Sequence, residues 1–157
     1  MYTFKKATCD DINALAEIRS EFLMAIENSP TKEMHEKMFL ANKAYFEDAI
    51  PNDNFVAWIA LDGDKIIATS GLSFSVVPPN MSCRDGKVAY IMNMYTIPKY
   101  RNQGLASELF KRIMEEALAR GFKKITLNAT DEGKPVYKKF GFKDVIGDME
   151  KYGNLEQ

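Results

Sequence analysis

The sequence predicts a mixed α/β (α+β) fold: a largely antiparallel sheet, splayed at a parallel centre, with helices on both sides. Three observations predict it. Val88 to Ile97 is almost uncharged and rich in β-branched and aromatic residues, the composition of a strand covered on both faces. After it, Leu105, Leu109, Ile113 and Ala117 recur at helical spacing with Phe110, Met114 and Leu118 beside them. Glu108, Lys111, Arg112, Glu115 and Glu116 fall on the opposite face. Finally, the elements run in the order β-α-α-β-β-β-α-β-α-β, which suits such a sheet.

Tyr2 to Ala7 reads as a short first strand, and Thr8 and Asp10 are candidate caps for the helix that follows. That helix carries Ile12, Leu15, Ala16, Ile18, Phe22, Leu23 and Ile26 on one broad face. Asn28-Ser29-Pro30 breaks it. Thr31-Lys32-Glu33 opens a second helix, and Pro51 to Asn54 is a turn cluster. Phe55 to Leu61 and Ile66 to Val76 are strands joined by the turn Asp62-Gly63-Asp64. Asn80 to Gly86 reads as a mobile polar loop. Pro98 lacks an N–H and ends the central strand, while Gly121 stops the long helix at a C′ position. Lys124 to Ala129 is a further strand and Glu132 to Phe140 a short helix. Asp144 to Gly153 is expected to give one or two terminal strands around Gly147-Asp148.

A chain of 157 residues buries one full core, so a single domain over residues 1–157 is expected. The net charge of −1, from 21 basic and 22 acidic residues, leaves no basic footprint for general nucleic-acid binding. The N-terminus has no apolar signal region and no run approaches transmembrane length, so the expectation is a cytoplasmic protein without a membrane partner. Cys9 and Cys83 are far apart and outside any metal spacing; they read as free thiols, and no metal site is expected. His35 and the methionines Met24, Met34, Met38, Met92 and Met94 read as surface and core positions.

Between the central strand and the long helix lies Arg101-Asn102-Gln103-Gly104-Leu105-Ala106. Gly104 lets backbone approach a ligand with no Cβ in the way. The first helical N–H groups have no partner inside the helix and sit at the positive end of its dipole, a place that fits a diphosphate. An ordinary strand–turn–helix with one cap glycine would carry the same residues.

Arg101-x-x-Gly104-x-Ala106 resembles the acetyl-CoA signature of the GCN5-related N-acetyltransferases, Gln/Arg-x-x-Gly-x-Gly/Ala. Met94 to Arg101 looks like that family's fourth strand and the start of its pyrophosphate loop. Pro135-Val136-Tyr137-Lys138-Lys139-Phe140-Gly141-Phe142 resembles its later motif, a helix carrying Tyr followed by Gly-Phe. The good match runs from about Tyr90 to Phe142. The resemblance implies the family's fold and acetyl-CoA as cosubstrate. It implies that the amides of Asn102, Gln103, Gly104, Leu105, Ala106 and Ser107 cradle the pyrophosphate, and that backbone groups of Met94 and Thr96 hold the pantetheine arm like an added strand. Arg101 either contacts phosphate or caps the loop. Tyr137 stands where the family carries a general acid near the leaving sulfur; the alternative is an aromatic core residue.

Two departures from the family pattern stand out. Val88 to Ile97 holds no carboxylate, only Asn93 and Tyr95 as polar groups, so the base is left open between Glu21, Asp131, Glu132, and backbone with water. The family often has Asn seven residues before the tyrosine. Here that place is Thr130, which can offer the arm one hydrogen bond, with Asn128 two residues earlier. The function implied is acetyl transfer to a primary amine of a small molecule or peptide; the alternative is a non-catalytic acyl-CoA-binding sensor or partner module. Many relatives pair through their C-terminal strands, so a homodimer is expected through Asp144 to Gly153.

Overall fold

The computed structural model describes residues 1–153. β1 (Thr3–Lys6) leads through a 3-10 turn at Cys9–Asp11 into α1 (Ile12–Ala25). Thr8 marks the helix start as expected, but Asp11 rather than Asp10 answers it. The Asp11 carboxylate accepts from the Thr8 N–H at 2.8 Å and from Lys5 Nζ at 2.8 Å. α2 (Lys32–Ala49) starts at Thr31, whose hydroxyl oxygen accepts from the Met34 N–H at 3.1 Å. β2 (Phe55–Asp62) and β3 (Lys65–Val76) form an antiparallel hairpin whose turn holds Gly63 at φ +61°. Then come β4 (Lys87–Thr96), α3 (Leu105–Ala119), β5 (Lys124–Leu127) and α4 (Lys134–Lys139). Gly121 closes α3 at φ +82°, its N–H donating to Leu118 O at 3.0 Å while Phe122 N–H donates to Ala117 O at 3.0 Å.

The strands form one five-stranded sheet in the order β1-β2-β3-β4-β5. Every pair is antiparallel except β4 with β5, which is parallel because α3 crosses over between them. Helices cover both faces. On one, Leu15, Ala16 and Ile18 of α1 and Phe46 and Ala49 of α2 pack on Ala57, Ile59 and Tyr95. On the other, Phe110, Ile113 and Ala117 of α3 pack on Leu72, Ala89 and Ile91, and Leu105 and Leu109 on Ala60, Ile67 and Ala68. Each large side chain buried here contributes roughly 1.5–3 kcal/mol over leaving it exposed.

Three expectations are corrected. Asn80 to Gly86 is a hydrogen-bonded turn, not a free polar loop. Asn80 Oδ1 accepts from the N–H groups of Ser82 and Cys83, Val77 N–H donates to Gly86 O at 2.8 Å, and Cys83 is buried. Gly86 sits at φ +70°, where an added Cβ would lie 2.0 Å from the Val77 carbonyl oxygen. β5 stops at Leu127 instead of Ala129, where its pairing with β4 ends opposite Ile91. No strand forms in the described part of residues 144–153. Val145 and Ile146 are exposed, with Met149 and Tyr152. Asp144 is drawn instead to α4, 3.1 Å from Lys138 Nζ and 3.5 Å from Lys134 Nζ. The pairing edge from which a homodimer was expected is therefore not formed by these residues.

The layers are tied at one corner by charge. Glu116 of α3 accepts from Lys6 Nζ of β1 at 2.7 Å and from Arg120 Nε at 3.0 Å. Arg120 in turn holds Asp53, ahead of β2, through two bonds of 2.7 and 2.8 Å. Burial alone would raise the Glu116 pKa, but the bonds from Lys6 and Arg120 and their charges outweigh it and hold the carboxyl below its ordinary value. A depressed folded pKa contributes stability above the unfolded value, lost as pH falls through the folded one. Glu116→Gln is expected to cost about 2 kcal/mol at pH 7. In urea denaturation run from pH 7 downward, that gap should close below about pH 4.5; a gap independent of pH would mean that the ion pairs contribute nothing.

Candidate active site

The site begins with a break in β4. Thr69 faces Tyr95 across the ladder, but Gly71 faces Met92, so β4 carries one residue more than β3 over this stretch. The extra residue is at Asn93, which is buried at φ +57°. Asn is among the few residues with a side chain that adopt this conformation readily. Thr69 Oγ1 fixes the bulge by donating to Asn93 O at 2.8 Å. Gly71 makes room for it: a Cβ there would meet Phe55 Cζ at 2.6 Å and Asn93 Cβ at 3.2 Å.

The bulge changes which face each residue meets. Met92 packs under α1 and α2, and Asn93 Oδ1 accepts from Arg19 Nη1 of α1 at 3.4 Å. Beyond it Met94 joins the core under α3, while Tyr95 is buried against α1. β5 pairs with β4 only from Val88 to Ile91. Met94 and Thr96 thus have no partner in β5, and the sheet opens there.

The opening is a cleft of about 610 Å³. It is lined by Met94, Thr96, Arg101, Asn102, Gly104, Leu105, Ala106, Ser107, Thr130 and Tyr137, so the structure brings together Tyr137 and every candidate cofactor-site residue but one. Gln103 is the exception; its side-chain oxygen accepts from the Tyr2 hydroxyl at 2.7 Å. Arg101 Nε donates to Thr96 O at 3.0 Å, which closes the loop and leaves the Nη groups beyond it. Gly104 is the N-cap of α3 at φ +80°, and nothing lies within 4 Å of a Cβ placed on it. Glu108 N–H is the first to find a helical acceptor, Gly104 O at 3.1 Å, so the amides of Leu105 to Ser107 precede the ladder. An elongated group with a diphosphate fits this arrangement, its polar arm against the unpaired edge of β4 and its anion at the start of α3.

Tyr137 forms the opposite wall from α4, its ring 5.1 Å from Phe110 and 6.3 Å from Phe142. It is both a packing residue and a cleft residue. Burial pushes its phenol above the usual value, with no charge or hydrogen bond opposing it, so the hydroxyl keeps its proton at neutral pH. Tyr95 is raised in the same way, by burial first and then by Glu21, whose carboxylate accepts its O–H at 3.3 Å. Among the acids named from sequence, Glu21 therefore reaches a cleft residue and Glu132 lines the cleft, whereas Asp131 points to solvent beside Lys134. The sequence reading missed the contribution of α1: Phe22, Ala25 and Ile26 line the cleft, with Phe22 stacked 5.2 Å from Tyr95. Phe22 and Ile26 lie on the helix's apolar stripe, which reads as core.

Comparison with known proteins agrees with this geometry. Residues 13–142 match the model of the acetyltransferase (GNAT) family. A crystal structure from Clostridium acetobutylicum, described as "predicted acetyltransferase with acetyl-CoA", is 35% identical and superposes with a TM-score of 0.85 over 97% of this chain and 96% of that one. A GCN5-related N-acetyltransferase from Ralstonia eutropha JMP134, 21% identical, shares the fold with a TM-score of 0.83 over 97% of this chain and 99% of its own. Thialysine N-epsilon-acetyltransferase of Bos taurus is 33% identical over 63 residues, 38% of this chain and 37% of that protein's length.

The bulge yields a backbone test. Asn93→Gly keeps the left-handed conformation available, whereas Asn93→Val must adopt it at a cost of about 1–2 kcal/mol. The valine variant should be less stable than the glycine variant by about that amount in chemical denaturation. Equal losses would mean that the position selects a side chain rather than a backbone angle.

Proposed function

This chain belongs to the acetyltransferase (GNAT) family, and on that premise we propose that it moves an acetyl group from acetyl-CoA to a primary amine of a small molecule or peptide by direct attack. The observation that supports this most is the convergence, in one cleft, of the unpaired edge of β4, the first amides of α3 and the Tyr137 ring. Acetyl-CoA supplies, when bound, an activated thioester: a bond forms from the acceptor nitrogen to the acetyl carbon, the carbon–sulfur bond breaks, the amine gives up one proton and the sulfur gains one.

The protein's part is binding, orientation and proton handling. The amides of Asn102 to Ser107 would hold the diphosphate, with no carboxylate side chain on that loop to oppose it. Arg101, its Nε already spent on Thr96 O, would offer its Nη groups to phosphate. Met94 and Thr96 would hold the arm through backbone, and a backbone N–H of β4 would polarise the carbonyl. Thr130, whose Oγ1 already accepts from Gly133 N–H at 3.2 Å, stands on the far side of the arm.

Tyr137 is assigned the acid role. A phenol at about 10 cannot give its proton outright to a thiolate at about 8.5 without a cost of about 2 kcal/mol. Burial widens that difference. The useful act is a hydrogen bond donated to the sulfur as its charge develops, which strengthens as the bond breaks.

Two experiments test this. Acetyl-CoA at a hundred times its dissociation constant should stabilise the fold by about 2.7 kcal/mol. Gly104→Glu, which sets a carboxylate at the start of α3, should abolish that stabilisation in thermal shift; survival of the shift would refute the loop assignment. Tyr137→Phe should keep acetyl-CoA binding and stability but lower turnover on the order of 10²-fold, read as thiol release under conditions where chemistry limits the rate. Unchanged turnover would make Tyr137 a packing residue, and a protein that binds CoA but releases no thiol with any amine would be a binding module.

A further inference from the structure

Tyr95 is where α1, β4 and the Arg101 loop meet. The bulge at Asn93 turns its side chain under α1, where the ring is buried 5.2 Å from Phe22. The same residue lines the cleft. Packing accounts for the ring. It does not account for the hydroxyl, which a phenylalanine would lack.

That hydroxyl lies between opposite charges. On one side it donates to Glu21 Oε1 of α1 at 3.3 Å. On the other stands Arg101, its guanidinium carbon 5.9 Å from the centre of the Tyr95 ring. Burial and Glu21 push the phenol up, while Arg101 acts against them by its charge and then by hydrogen bonding. A hydroxyl has one donor and two acceptor sites. With its proton committed to Glu21, the oxygen turns lone pairs outward, and the donor facing them is the guanidinium. Arg101 Nε donates to Thr96 O at 3.0 Å. The fork is therefore braced from two sides, by the Thr96 carbonyl and the Tyr95 oxygen, and keeps N–H groups to spare. Of the two cations on this loop, Arg101 lines the cleft, whereas Lys99 lies over the Tyr100 ring, 4.8 Å from its centre.

We propose that Tyr95 is a positioning residue for the diphosphate: its hydroxyl, anchored on Glu21, holds the Arg101 fork in place before the cosubstrate arrives. The inference rests on the acetyl-transfer reading above and adds the residue that favours the nucleotide half of the donor. An exposed arginine samples many rotamers, and fixing it at the moment of binding costs affinity. A fork fixed beforehand has already met that cost. A hydroxyl beside Arg101 serves the phosphate end of the donor, and the thioester end is left to Tyr137.

The test compares acetyl-CoA with S-acetylpantetheine, which keeps the arm and the thioester but lacks the diphosphate, using thiol release with one amine. Wild type should prefer acetyl-CoA. Tyr95→Phe should lower that preference, as a ratio of kcat/KM values, by about 3–10-fold, the cost of ordering one long side chain. The loss should appear in KM for acetyl-CoA. Arg101→Met should lower the ratio too, and Tyr95→Phe added to it should change it no further, because the hydroxyl then has no fork to hold. A hydroxyl that only packs, or one that moves a proton in the reaction, would affect both donors alike. An unchanged ratio in Tyr95→Phe therefore overturns the proposal, as do equal use of the two donors by wild type and additive losses in the double variant. Should Tyr95→Phe fail to fold, Glu21→Gln and Glu21→Ala take its place. Both remove the charge and only the first keeps an acceptor, so the alanine variant should show a ratio about 2–3-fold below that of the glutamine variant; equal ratios overturn the proposal. If no amine releases thiol from either donor, the transfer reading fails, and calorimetry with CoA and pantetheine decides the matter alone. A 3–10-fold weaker grip on CoA in Tyr95→Phe, absent in the Arg101→Met background, upholds the proposal. Unchanged CoA binding, or equal losses for CoA and pantetheine, overturns it.

Discussion

The cleft depends on one backbone angle. A residue at φ +57° in the middle of β4 inserts a step into an otherwise regular ladder, and everything about the site follows from that step. It ends the pairing with β5 after Ile91 and leaves Met94 and Thr96 facing open space. It turns Met92 and Asn93 together towards α1 and α2. The conformation is held by its surroundings, through the Thr69 hydroxyl and the space above Gly71, as a strained residue must be.

The two helical layers then serve different ends. α3 buries an unbroken apolar stripe on one face of the sheet, so its N-terminus is fixed firmly at the mouth of the cleft. α1 and α2 cover the other face with a mixed layer: apolar at Leu15, Ile18 and Phe46, polar at Arg19 and Asn42. The first amides of α3 therefore come from the layer with the unbroken apolar stripe, and Arg19 and Asn42 from the mixed one.

Much of this was legible in the sequence. Arg101-x-x-Gly104-x-Ala106, placed between an uncharged strand and an amphipathic helix, located the mouth of the cleft, and Gly121 located the end of α3. Those features are local, and local spacing is what a sequence displays. The bulge was not legible, because an Asn inside a strand looks like any polar residue until its partner strand is known; Asn93 and Gly71 are 22 positions apart in the chain. The ring of Phe22 and the pairing of Arg19 with Asn42 were hidden for the same reason. The terminal segment was misread: strands were expected around the Gly147-Asp148 turn, but Val145 and Ile146 stay exposed and the charge of Asp144 goes to α4.

The sheet's outline has a consequence for how the chain behaves in company. Its interior strands run 8, 12 and 10 residues, while the two at its margins, β1 and β5, have 4 each. Unsatisfied backbone groups on a sheet margin are the template on which another polypeptide can stack, and the risk grows with the length of that margin. Here the long, apolar strands have a neighbour on each side, except for the far end of β4 at the cleft, and the margins themselves are brief. A protein with an opening built between the last two strands of its sheet thereby offers only short outer strands as a foothold for fibrils.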